Sequence, residues 1–145
     1  MNNGVRKMNL NQATDYAFRA ILFLARQPVG KVVEAQAIST KEVIPMRFLL
    51  KIMPSLIKAG IVRSQRGVGG GYALTKEPGE ITLLDVVEAI EGPVKINRCL
   101  EDYNYCSKKG APTCPVHQAL DSIQEKLTGE LSSHNFGQLL EKNFF

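Results

Sequence analysis

The chain has 145 residues, 44% of them hydrophobic and 22% charged, the composition of a single globular unit with enough apolar mass for one core. Disorder and collagen-like repeats are excluded. The net charge of +4 points to no partner until the chain is divided after Lys76: the first part carries 12 basic and 3 acidic residues, net +9, and the remainder 6 and 11, net −5. That asymmetry predicts an amino-terminal part that meets polyanions and a carboxyl-terminal part with another task.

The longest early apolar run, Ala20 to Ala25, is six residues long before Arg26 interrupts it, too short for a signal-peptide core or a membrane span. A cytoplasmic protein without a membrane partner is therefore expected. The three cysteines are an odd number, which argues for ligands or reactive thiols over a disulfide framework.

From Thr14 to Arg26 the residues Ala17, Phe18, Ile21, Leu22, Leu24 and Ala25 recur at helical spacing, with Asn11 or Thr14 available as cap and Pro28 and Gly30 beyond the end. A short helical piece is predicted at Glu34 to Ser39, followed by a connection from Lys41 to Ile44. Pro45 then stands at a first helical turn, and Phe48, Leu49, Ile52, Met53, Leu56 and Ile57 mark one apolar face through to Gly60. Pro54 inside that stretch predicts a kink or two helices in tandem, since an internal proline costs about 3 kcal/mol in an undistorted helix.

The period then changes. Ile61 to Gln65 reads as a strand, Arg66 to Gly71 as a glycine-rich tip and Tyr72 to Thr75 as the returning strand, giving a basic hairpin. Thr82-Leu83-Leu84-Asp85 matches a capping box ahead of Val86, Val87 and Ile90, and Gly92-Pro93 ends that helix. A cysteine-bearing loop runs from about Val94 to Thr113. Beyond it Val116, Leu120, Ile123 and Leu127 form one apolar seam on a helix, and Leu131, Phe136, Leu139 and Leu140 continue as a weaker helical tail.

The glycine cluster is not a phosphate-binding loop, because it lacks Gly-Lys-Ser/Thr leading into a helix and lies between strands. Its bland reading is a tight turn. Arg63 and Arg66 flank it, however, and the missing side chains of Gly69, Gly70 and Gly71 let backbone approach another surface. A helix pair, a basic helix and a basic hairpin follow the order of a winged helix-turn-helix. One helix of such a domain fits the roughly 12 Å wide major groove of DNA, while hairpin Arg side chains suit a narrow minor groove. Arg47 and Lys51, four residues apart, project from one face. That pair is either a solvated basic face or a DNA contact, and Lys41, Arg63 and Arg66 nearby favour the second. The candidate DNA-binding set is Lys41, Arg47, Lys51, Arg63, Ser64, Gln65, Arg66 and Gly67.

Cys99, Cys106 and Cys114 are separated by six and seven residues in a loop that also holds Arg98, Lys108 and Lys109. Cationic neighbours favour thiolates, the form that binds metal or reacts with oxidants. His117, one helical turn after Cys114, can point its imidazole toward the same ion. The spacing lacks the close Cys-x-x-Cys pairs of zinc ribbons, although zinc or three simply reactive thiols stay open as readings. His134 reads as a surface residue in a polar tail. No nucleophile elbow, metal-protease helix or acid/base pair is present, which argues against an enzyme.

Together these residues resemble the Rrf-two family of bacterial winged-helix regulators. The resemblance rests on Thr14-Asp15-Tyr16-Ala17 with Arg19-Ala20; Phe48-Leu49 with the Leu56 to Val62 run; the Arg63 to Tyr72 wing; Ile81 to Val87 with Glu91-Gly92; and the three cysteines. It covers Met8 to about Leu127, and residues 1–7 precede the usual family start as a basic tail or an alternative start. It implies a homodimer paired through the helix after Cys114, with Val116, Leu120, Ile123 and Leu127 as its seam, and two winged helices on a palindromic double-stranded operator. It also implies an iron-sulfur cluster, 2Fe-2S or 4Fe-4S, on Cys99, Cys106 and Cys114. Members of the family differ in the fourth ligand: a His three residues after the third Cys, here His117, or a first-helix Asp from the other subunit, here Asp15. The two inter-cysteine segments are longer than those of the cluster-binding members.

The fold expected is mainly α with a small β-hairpin: a winged helix-turn-helix domain over 1–80, then a cysteine loop and long dimerisation helix over 81–145, packed as one unit with the first. The function expected is a DNA-binding transcriptional regulator, a repressor in the leading reading, controlled by a cluster that senses iron-sulfur status, iron, nitric oxide or redox state. The alternatives are a thiol- or zinc-switched regulator without a cluster and a protein-interaction module that binds an enzyme.

Overall fold

The computed structural model describes residues 9–110 and 113–142, so the tail expected at residues 1–7 lies outside them. The chain begins with helix α1 (Gln12–Ala25), capped by Asn11, whose side-chain oxygen accepts from the Thr14 amide at 2.8 Å. Ala17, Ala20, Ile21 and Leu24 of this helix are buried. The small alanines let α1 serve as the central element against which later helices pack.

Helices α2 (Ala35–Glu42) and α3 (Met46–Lys58) form the helix-turn-helix, and α2 extends further than the sequence pattern predicts, taking Lys41 into its last turn. Val43 ends α2 in the left-handed conformation, at φ 54 and ψ 51. That reversal drops Ile44 into the core, where Ser39 holds both its amide and, through its hydroxyl at 2.6 Å, its carbonyl. Pro45 stands at the N-cap of α3, one position before the first turn. The tandem-helix expectation at Pro54 is corrected: α3 runs unbroken through it. Pro54 lies on the exposed side, where water can satisfy the carbonyl it deprives of a donor, while Leu49, Ile52, Met53 and Leu56 are buried opposite.

Strands β1 (Val62–Gln65) and β2 (Gly71–Leu74) pair antiparallel, with Val62 opposite Leu74 and Gln65 opposite Gly71. Val33 and Tyr72 exchange two backbone hydrogen bonds of 2.8 Å, which tie the hairpin to the segment before α2. Gly71 is demanded by this junction. A Cβ there would lie 2.0 Å from the Val33 carbonyl oxygen, at a φ of +153°.

Helix α4 (Leu83–Glu91) starts with the expected capping box, Thr82 and Asp85 bonding each other's backbone amides. It packs against α1 and α3 through its buried Val86. The loop after it contains a short helix, α5 (Arg98–Glu101), and a 3-10 turn, Tyr103–Tyr105. Helix α6 (Pro115–Ser133) is the longest in the protein's described part. The helical tail is corrected too. Leu131 belongs to α6, the helix stops at His134, and a separate helix α7 (Phe136–Leu140) begins with its own capping box from Asn135 and Gln138. The Leu83 amide donates to the His134 carbonyl and the Phe136 amide to the Ile81 carbonyl, each at 2.9 Å, which turns the chain back and buries Phe136 in the core beside α1.

Candidate nucleic-acid interface and cysteine centre

The helix-turn-helix and hairpin present Lys41, Arg47, Lys51, Arg63, Ser64, Gln65, Arg66 and Gly67 as exposed residues. Arg47 and Lys51 extend from α3 on the side away from its buried stripe, and β1 packs against α3, so helix and wing adjoin. Arg63 is already engaged, its guanidinium donating to the Gly30 carbonyl at 3.3 Å. No acidic residue occurs between Val62 and Lys76, so the charges the wing itself carries are all positive.

One layer behind this surface lies a stack that periodicity does not reveal. Arg19 sits over the Tyr16 ring at 5.3 Å, Tyr16 packs on Phe48 with centroids 5.5 Å apart, and Arg47 covers Phe48 at 4.8 Å. Arg19 also pairs with Asp15 at 2.8 Å and donates to the Glu42 carbonyl at 3.4 Å. It thereby connects α1 to the turn before α3, orienting the helix that carries Arg47. The only signal in the sequence is the i, i+3 and i, i+4 spacing of Asp15, Tyr16 and Arg19.

In the cysteine loop, His117 is buried and its Nδ1 lies 3.2 Å from the Cys99 sulfur, with the Tyr103 ring edge-on at 5.4 Å. The imidazole thus finds a thiol 18 residues back instead of Cys114, one turn before it. Cys106 and Cys114 are linked through Gly110. The Gly110 amide is the main donor to the Cys106 sulfur and, with the Lys108 amide, holds that thiol below the ordinary range, and a Cβ on Gly110 would be 3.4 Å from the Cys114 Cβ. Cys114 is the N-cap of α6. Among the described residues no three such side chains converge on a point suited to a metal ion. Asp15, the other candidate fourth ligand, is exposed on α1 and held by Arg19.

Helix α6 has two faces. His117 and Gln124 are buried, and Gln124 accepts from the Ile96 amide at 3.0 Å, pinning the start of the cysteine loop. On the other side Val116, Ile123 and Leu127 are 64%, 54% and 40% exposed, with Leu120 half-buried between them. His134 is half-exposed and bonds Glu130 at 3.0 Å. No described helix is long and apolar enough to cross a membrane.

A helix-turn-helix followed by a paired basic hairpin and packed on further helices is the architecture of a winged-helix transcriptional regulator. The chain belongs to the Rrf2 family, the Rrf-two regulators resembled above: the family's profile, described as an iron-dependent transcriptional regulator, matches residues 10–142. It is a family of transcriptional regulators. Among solved structures, IscR of T. potens is 22% identical with a TM-score of 0.69, over 95% of this chain and 90% of that one. CymR of B. subtilis, titled the global cysteine regulator, is 24% identical with a TM-score of 0.70, over 95% of this chain and all of that one. The oxidized form of Staphylococcus aureus CymR is 20% identical with a TM-score of 0.71, over 95% of this chain and 100% of that one. At these identities the three likenesses speak for the fold.

Proposed function

We propose that this regulator binds a palindromic operator as a homodimer and that an iron-sulfur cluster on Cys99, Cys106 and Cys114 controls its affinity. The observation that carries the cluster reading is the buried His117 ring 3.2 Å from the Cys99 sulfur, which favours His117 over Asp15 as fourth ligand. The donor chemistry fits: three thiols and an imidazole lie within residues 99–117, beside Arg98, Lys108 and Lys109, with Cys99 and His117 in contact and Gly110 adjoining both Cys106 and Cys114. When bound, the cluster supplies an iron-thiolate linkage sensitive to iron supply, nitric oxide and oxidants. Cys114 at the start of α6 and Cys99 in α5 tie that linkage to the helix that bears the apolar seam.

On the DNA side, Arg47 and Lys51 of α3 enter the major groove while Arg63, Ser64, Gln65, Arg66 and Gly67 carry the wing to the minor groove, and Lys41 contacts phosphate. Val116, Leu120, Ile123 and Leu127 pair with the same residues of a second copy, which would cover the exposed stripe. Residues 1–80 act as the reading unit and 81–145 as the sensing and pairing unit.

A second reading has its own support. Cys106, in an exposed turn with backbone amides directed at its sulfur, suits a thiol switch without a cluster. Anaerobic reconstitution with ferrous iron and sulfide separates the two. The cluster reading expects a brown protein with thiolate-to-iron absorption that His117→Ala weakens and Asp15→Ala leaves unchanged. A colourless, iron-free protein whose thiols titrate with oxidant in step with DNA affinity establishes the switch instead, and bound zinc would show in the same metal analysis. A protein-interaction module would show no operator affinity at all.

A further inference from the structure

We infer that Val68 is an apolar wedge that the wing inserts at a base step of the DNA minor groove, an inference that rests on the DNA-binding reading above. From Gly67 to Gly71 the hairpin tip has a single side chain, Val68, so whatever the tip touches is touched by an isopropyl group. Val68 is wholly exposed, at 107% of its reference area, and makes no use of its hydrophobicity within the chain. A lone exposed valine is ordinary on a protein surface. This one is held out at the end of a stiff support whose first arm carries Arg63 and Arg66.

The stiffness has three sources. The tip closes on a turn in which the Gly70 amide donates to the Gly67 carbonyl at 3.0 Å, with Gly69 at φ +74°. A Cβ on Gly70 would lie 2.3 Å from the Gln65 carbonyl oxygen, so the two arms are in van der Waals contact immediately behind the tip. The base of the hairpin is fastened to Val33 through Tyr72, and Arg63 adds its bond to the Gly30 carbonyl. A wedge acts only when its support resists the restoring force of the stacked bases, and unstacking a step costs a few kcal/mol. Arg66, two residues before the tip, supplies the attraction: arginine is drawn into a narrow minor groove by its negative potential, while the branched alkyl group of Val68 has no phosphate or base edge to bond and fits only against the faces and sugars of an opened step. Flexible pyrimidine–purine steps are the expected targets.

The test uses the full-length protein and duplexes recovered by in vitro selection, each carrying 2-aminopurine at one position opposite the wing. Wild-type protein should raise the fluorescence at one step, reporting unstacking, and bend an end-labelled duplex. Val68→Ser should abolish the fluorescence rise, reduce the bend and weaken selected-site binding about tenfold, with the salt slope unchanged because no phosphate contact is lost. Val68→Met, longer and still apolar, should keep the unstacking signal. If Val68→Ser matches wild type in fluorescence, bend and affinity, or if Val68→Met loses as much as Val68→Ser, the wedge is overturned while DNA binding stands. Failure to enrich any duplex overturns the DNA reading and the wedge together.

Discussion

The Thr14 hydroxyl, fully buried in α1, donates to the Glu91 carboxylate at the end of α4 across 2.6 Å. The hydroxyl oxygen is also 3.0 Å from the Asn11 side-chain oxygen, but it has a single proton to donate, and the shorter, charge-assisted bond takes it. Glu91 is the last α4 residue before the segment that leads to Cys99, so this bond fastens the entry of the cysteine loop to the helix on which α3 packs. Glu91→Ala should cost about 1 kcal/mol in urea unfolding, because the freed proton can turn to Asn11. A double-mutant cycle with Thr14→Val should recover a coupling of similar size, and additive losses would show that the bond carries no energy.

Arg66→Ala should lower operator affinity and reduce the slope of log K against log salt by about 1, the signature of one cation withdrawn from the DNA. Arg47→Ala should lower affinity at selected sites and compress the difference between selected and random duplexes, since its position on α3 is one for base edges. Electrophoretic titrations at several salt concentrations distinguish the two patterns.

Val43→Gly should stabilise the protein. A β-branched residue at φ 54 costs about 1–2 kcal/mol, glycine gives back about 0.5–1 kcal/mol through the unfolded chain, and a side chain 76% exposed loses little burial. A rise of about 2 °C in Tm is expected by calorimetry.

Gly71→Ala should do the reverse in the wing. The added methyl meets the Val33 carbonyl oxygen head-on, so the paired bonds between Val33 and Tyr72 must open. Amide hydrogen exchange should rise at both residues and DNA affinity should fall, with α1 and α4 as protected as before.

In metal-free protein, Cys106 should be alkylated by iodoacetamide at a lower pH than an ordinary thiol. Amides of Gly110 and Lys108 favour its thiolate, so the fraction reactive at neutral pH rises and the midpoint of the pH–rate profile moves down. Mass mapping of the three cysteines against pH checks the direction. Sign follows from the depressed folded value: whatever stability the thiolate contributes is present above the unfolded thiol's range and lost as pH falls through the folded one.

Sequence alone made α1, α3 and the hairpin legible because each has a clear period, and the Thr82/Asp85 box because capping chemistry is local. Pro54 left a kink and a break between two helices both open for a physical reason: the cost of an internal proline is set by what the freed carbonyl faces, and exposure is a tertiary property. Phe136 was hidden because a five-residue helix has too few turns to show a period, and only the bond between Ile81 and Phe136 brings it inward. In the cysteine loop the residue types that could act as ligands were legible in the chain. The pairing of His117 with Cys99, the placement of Gly110 between Cys106 and Cys114, and the Arg19 stack all depend on contacts between elements distant in sequence.

Ile123 and Gln124 are neighbours on α6 that project about 100° apart around its axis, one onto the exposed stripe and the other onto the Ile96 amide at the mouth of the cysteine loop. A helix is rigid about its own axis, so a roll that follows the loop turns the stripe through the same angle. In a twofold assembly joined by that stripe, the roll is doubled by symmetry and delivered as a change in the phase between two recognition helices around the DNA. Such a device would not need to alter a single DNA-contacting side chain to choose between operators of different half-site spacing.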